Sequence, residues 1–117
     1  MSEEERGLSD DPERALRFIM NNAVRFAQAK ANRVYMEEYR KTLKAKKMKE
    51  FEDAYPSAAA QEREAYASNE YAGHLLALKE AHAIEEALRW KLIAAEAAIE
   101  VWRSKEASNR SLDRSGR

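Results

Sequence analysis

Six bases and no acid fall within ten residues at Arg40-Lys41-Thr42-Leu43-Lys44-Ala45-Lys46-Lys47-Met48-Lys49. This is the one stretch of the chain whose residue types and spacing carry chemistry. On a helix, Arg33, Arg40, Lys44 and Lys47 project within about 60° of arc, with Lys30 and Lys41 beside them. A cationic stripe of that kind can follow a phosphate backbone. Tyr35 and Tyr39 border it, and tyrosine rings offer stacking surfaces for unpaired bases. Candidate nucleic-acid-binding residues are therefore Lys30, Arg33, Tyr39, Arg40, Lys41, Lys44 and Lys47. The competing reading is a solvated lysine face, with Tyr35 and Tyr39 serving core or interface.

Catalytic chemistry has little material. The two histidines, His74 and His82, lie in neither a His-Glu-x-x-His nor a Glu-x-x-His pattern; Tyr71 and Lys79 occupy the positions three residues before each. The i,i+4 pairs Glu70/His74 and His82/Glu86 read as helix-surface pairs. There is no Gly-rich phosphate loop, no Gly-x-Ser-x-Gly and no cysteine, which removes thiol nucleophiles and the common zinc sites. The expectation is a nonenzymatic protein with no catalytic residues, no metal and no cofactor.

The charges sum to zero over 117 residues, 21 bases against 21 acids, but they are segregated. Residues 15–49 hold ten bases and two acids, and residues 50–86 hold nine acids and two bases. The acidic segment is a ready neutraliser of the basic one, within a protomer or between protomers. Overall neutrality argues against a nonspecific coat on duplex DNA and suits a protein presenting one basic surface.

The elements that must position these residues are helices. Three Gly and two Pro leave little turn material. Asp11-Pro12 reads as an N-cap followed by a first-turn proline, opening a helix from Pro12 to about Asp53. Tyr55-Pro56 breaks it. Ser57 caps a short helix through Glu64, Ser68-Asn69 offers the next cap, and a third helix runs from Glu70 to about Ala107. Residues 1–11 are expected to be a disordered acidic N-terminus, 12–107 one helical domain, and 108–117 a flexible tail. The fold class is all-α: a long antiparallel helical hairpin with a short connecting helix, assembled into an oligomer.

Oligomerisation follows from apolar patterning. The third helix carries one stripe at Ile84, Leu88, Leu92, Ala95, Ile99 and Trp102. A second runs through Leu76, Ala83, Ala87, Trp90, Ala94, Ala97 and Val101, about 130° away. One partner helix covers only one stripe; the second calls for another helix, from a second copy or, in the alternative of a monomeric bundle, from the short middle helix. Leu76, Ile84, Leu88, Trp90, Leu92, Ile99 and Trp102 are the expected oligomer interface. The apolar side of the first helix also changes, from Leu16, Ile19, Ala23, Phe26, Ala27 and Val34 to Tyr35, Met36, Tyr39 and Leu43. A change of phase implies a change of partner.

No apolar run approaches the ~20 residues of a membrane helix, and Met1-Ser2-Glu3-Glu4-Glu5 is acidic where a secretory signal would be basic. A cytoplasmic protein with no membrane partner is expected.

The layout resembles the UvsY-like phage recombination mediators. The shared features are the size, the stretch Tyr35-Met36-Glu37-Glu38-Tyr39-Arg40-Lys41, an acidic connector with Glu62-Arg63-Glu64, and a long helix ending Ile99-Glu100-Val101-Trp102-Arg103-Ser104. The chain is also similar to small phage proteins with this Glu-Arg-Glu-Ala-Tyr and Trp-Arg-Ser pattern. The resemblance implies a ring-forming hairpin protomer in the bacterial host cytoplasm. It also implies binding to single-stranded DNA through Arg40, Lys41 and Lys44, with a recombinase and a single-strand-binding protein as partners. The alternative is a helical adaptor or a phage inhibitor of a host enzyme, with the second apolar stripe as its contact face.

Overall fold

The computed structural model describes residues 11–116; the expectation for residues 1–10 and Arg117 lies outside the described residues. All three elements are helices, with no strand among the described residues: α1 (Pro12–Phe51), α2 (Ala58–Ala67) and α3 (Asn69–Ser115). Among the same residues, no helix is long and apolar enough to cross a membrane.

The helix boundaries follow from local chemistry. Asp11 Oδ1 accepts the Arg14 amide at 3.0 Å, which satisfies one of the orphan donors of the first turn. At the other end the Tyr55 amide returns to the Phe51 carbonyl at 2.9 Å, and Pro56 follows. The Glu52 and Ala54 amides reach back only three residues, to the Lys49 carbonyl at 3.4 Å and the Phe51 carbonyl at 3.2 Å, and this tightening ends α1 at Phe51, two residues before the expected end. Ser57 is extended, with φ −103° and ψ 147°, and its side chain accepts the Ala60 amide.

Ser68 divides α2 from α3. Its hydroxyl donates to the Ala65 carbonyl at 2.7 Å and accepts the Tyr71 amide at 3.2 Å. It thereby closes one helix and caps the next. The short helix accordingly reaches Ala67 rather than Glu64, and α3 starts at Asn69.

The C-terminal expectation needs correction. Residues 108–115 continue α3 instead of leaving it near Ala107. Their Ser, Asn and Arg content reads as loop, yet no Pro or Gly interrupts the backbone before Gly116. The helix stops at that glycine, the residue type preferred just past a helix end.

The chain divides into two compact units. One comprises residues 1–27 and 86–117, the other residues 28–85. In the first, Ala15, Phe18, Ala95 and Ala98 are buried, with Ile19, Leu92 and Ile99 packed against them. Buried Asn22 is satisfied: its amide donates to the Phe18 carbonyl at 2.8 Å, and its oxygen accepts from Arg25 at 3.1 Å. In the second unit the buried apolar residues are Ala65, Leu78 and Ala81, joined by the charged Lys47 and Glu85. The boundary in α1, after Ala27, precedes the expected change of apolar side between Val34 and Tyr35.

Candidate nucleic-acid interface

The unit of residues 28–85 holds the basic run, α2 and the first part of α3. The expected stripe separates into cations tied inward and cations left outward.

Arg33 is tied inward. Its Nε and Nη2 donate to Glu85 at 2.6 and 3.0 Å, and its Nη1 donates to Glu37 at 3.1 Å. This fork-on-carboxylate geometry is the strong form of the ion pair. The hydrogen bond to Arg33 holds the Glu85 carboxyl below its ordinary value, against the desolvation of its buried position. The other Glu37 oxygen lies 3.0 Å from His82 Nε2. Lys47 is buried rather than open on the stripe. Its ammonium meets Glu50 at 2.8 Å and Glu70 at 3.1 Å, and the Glu50 hydrogen bond raises its pKa.

Lys44 is intermediate. Its Nζ lies 5.4 Å from the centre of the Tyr66 ring and 3.7 Å from Glu62. Contact with Tyr66, then the field of Glu62, raises its pKa, so it stays cationic. Arg40 is exposed and donates only Nε, at 3.3 Å, to the Glu37 carbonyl. Lys41 is exposed and meets the equally exposed Glu38 at 3.3 Å, a weak pairing. Lys30 is exposed on the Glu85 side, where its charge adds to the lowering of the Glu85 pKa.

The acidic segment therefore supplies the partners of the basic one: Glu85, Glu70 and Glu62 come to Arg33, Lys47 and Lys44. The neutralising alternative applies to two of the four stripe residues fully, to Lys44 in part, and to Arg40 not at all.

The tyrosines are rearranged as well. Tyr39 is half-buried between the Tyr35 ring, stacked at 5.9 Å, and the His74 ring at 5.5 Å, with the Lys46 ammonium 5.6 Å from its centre. Nε2 of His74 lies 2.6 Å from the Met36 carbonyl oxygen. A carbonyl cannot donate, so that nitrogen carries the proton.

The residues left outward share a cleft. Arg40, Lys41 and Lys44 from α1, Tyr66 from α2 and Tyr71 from α3 line a space of about 190 Å³. Tyr66 and Tyr71 meet edge to face at 5.1 Å. Three cations beside two phenol rings is a combination suited to phosphate and base together. Sequence reasoning missed Tyr66 and Tyr71, which lie 17 and 22 residues beyond the end of the basic run at Lys49. The only available signal was that both stand in the acidic segment the charge pattern had already set against that run.

The expected interface residues also separate. Leu92 and Ile99 pack into their own unit's core, and Leu88 is half-buried. Leu76, Ile84, Trp90 and Trp102 are exposed, Leu76 at 68% and Trp90 at 58%. All seven members of the second stripe are exposed.

No protein-family model, no curated protein and no solved structure matches the chain.

Proposed function

We propose that this protein is a nonenzymatic, single-stranded DNA-binding accessory protein, akin to a recombination mediator, that acts as an oligomer of long antiparallel helical hairpins. The observation that carries the reading is the cleft of Arg40, Lys41 and Lys44 facing Tyr66 and Tyr71. Cations there engage phosphates through point charges and a guanidinium fork. The rings give a sequence-tolerant surface for a base exposed only when the strand is unpaired. A duplex hides its base faces, so it uses the cations alone. No reactive group is needed for this role. A recombinase and a single-strand-binding protein are the partners that go with it.

Fluorescence anisotropy with a labelled single-stranded oligonucleotide and its duplex, at two salt concentrations, tests the reading. Binding that falls with salt and favours the single strand supports it. Absence of binding at ~50 mM salt, where screening is weak, refutes it. The adaptor reading then takes its place, favoured by the fully exposed second stripe of α3.

A further inference from the structure

We infer that Glu62 is the resident anion of the cleft: its carboxylate sits at Lys44 where a phosphate of the strand goes, and binding exchanges one for the other. This regulation rests on the reading of the cleft as a single-strand site.

The short helix α2 turns two groups toward Lys44. Glu62 and Tyr66 are four residues apart, so they share one face of the helix, a turn from each other. The Lys44 ammonium lies 3.7 Å from Glu62 and 5.4 Å from the centre of the Tyr66 ring. A carboxylate and a ring on one cation repeat the two halves of a nucleotide, an anionic group and a flat face. Tyr66 first, and then Glu62, raise the Lys44 pKa, so the cation is charged while the carboxylate occupies it.

Of Glu62, Glu70 and Glu85, Glu62 is held most loosely. Glu85 grips Arg33 at 2.6 Å and Glu70 meets Lys47 at 3.1 Å, and Glu85 and Lys47 are buried. Breaking either of those pairs strands a buried charge, which closes them to exchange. The Lys44–Glu62 pair is longer, and its side chains keep 32% and 46% of their surface exposed. Water screens a pair of this kind and leaves it weak, so an arriving phosphate can take the cation.

The same exchange limits how tightly the cleft holds a strand. A phosphate at Lys44 must dislodge Glu62, and the freed carboxylate stays close by on α2, like charge beside like charge. Lys41 carries a lesser form of this competition in Glu38, 3.3 Å away on its own helix with both side chains wide open to water. Arg40 has none, since it donates only to the Glu37 carbonyl. Arg40 thus anchors, and Lys44 carries the means of release.

Glu62→Gln keeps the length of the side chain and costs almost no helix propensity, but removes the competitor. Anisotropy with a labelled single-stranded oligonucleotide at ~50 mM salt should show binding ~2–5-fold tighter than the wild type, the worth of one exposed ion pair. Glu64→Gln is the control: it makes the same change in net charge two residues away, at a carboxylate paired with Arg63, and should stay within ~1.5-fold of the wild type. In a Lys44→Gln background the gain from Glu62→Gln should vanish, because the carboxylate then has no cleft cation to hold. Circular dichroism checks helicity, and Glu62→Ala repeats the measurement if the Gln variant loses it. No gain from Glu62→Gln, an equal gain from Glu64→Gln, or a gain that survives Lys44→Gln overturns the exchange and leaves the single-strand reading standing. A wild type that does not bind overturns that reading; under the same conditions, a Glu62→Gln variant that binds upholds the exchange, and one that does not overturns it too.

Discussion

If the cleft is where the strand lies, neutralising its cations and neutralising the inward-tied ones must have different consequences. Arg40, Lys41 and Lys44 line the cleft, whereas Arg33 and Lys47 are committed to Glu85, Glu37, Glu50 and Glu70. Three phosphate contacts on a single strand give a slope of about −2 in log affinity against log salt. Raising salt from ~50 to ~200 mM then weakens binding by ~20-fold per protomer engaged. Arg40→Gln removes one contact, so the slope falls to about −1.4 and the same change in salt costs ~7-fold. Arg33→Gln and Lys47→Gln should leave the slope unchanged while lowering the melting temperature, because each strands a carboxylate that had a partner. An open stripe of four contacts would instead give ~50-fold and equal decrements at all four positions. Anisotropy titrations at four or more salt concentrations, with helicity followed in the same samples, measure each slope. Equal decrements for Arg40→Gln and Arg33→Gln in folded protein would refute the division into outward and inward cations.

Tyr71→Ala should weaken single-stranded binding by about 1–3 kcal/mol with an unchanged salt slope, the signature of a lost stacking surface; an unchanged affinity in the same titration removes the ring from the site. Phe18→Ala should cost about 3 kcal/mol, the low end for phenylalanine because the surrounding cluster is thin and can collapse; urea unfolding followed by circular dichroism measures it, and a loss under ~1 kcal/mol contradicts the core assignment. Glu85 has a lowered pKa through Arg33, so its stabilisation is fully present above its ordinary value of 4.5 and is lost as pH falls through the depressed one. Melting temperatures taken from about pH 6 to about pH 2 should therefore drop on the acid side for the wild type and drop less for Glu85→Gln; parallel profiles count against the Arg33–Glu85 pair as the source.

The helices were legible because their causes are local. Asp11 and Ser57 sit beside the amides they cap, and Pro56 acts on the residues next to it. Where local chemistry was ambiguous the reading slipped, as with the Ser- and Asn-rich residues 108–115, whose backbone continues the helix to Ser115. The second stripe of α3 was legible as an excess of apolar surface, and each of its residues is exposed. Arg40 and Lys41 were legible as cations, since nothing nearby in the chain cancels them fully.

What the one-dimensional pattern could not supply was the choice of partner. Ten bases and nine acids in adjoining segments admit many pairings of similar Coulomb energy. Which of them form depends on which side chains the packed helices bring within about 4 Å, where the interaction and its desolvation cost become decisive. Tertiary structure brought Glu85 to Arg33 across 52 positions and Glu70 to Lys47, taking two cations out of the stripe. The same packing set Tyr66 and Tyr71 from two other helices beside Arg40 and Lys44. Composition and periodicity determined that the chain is helical, charged in blocks and short of core. Only the packing of α1 against α2 and α3 in residues 28–85 decided which of its charges face the solvent.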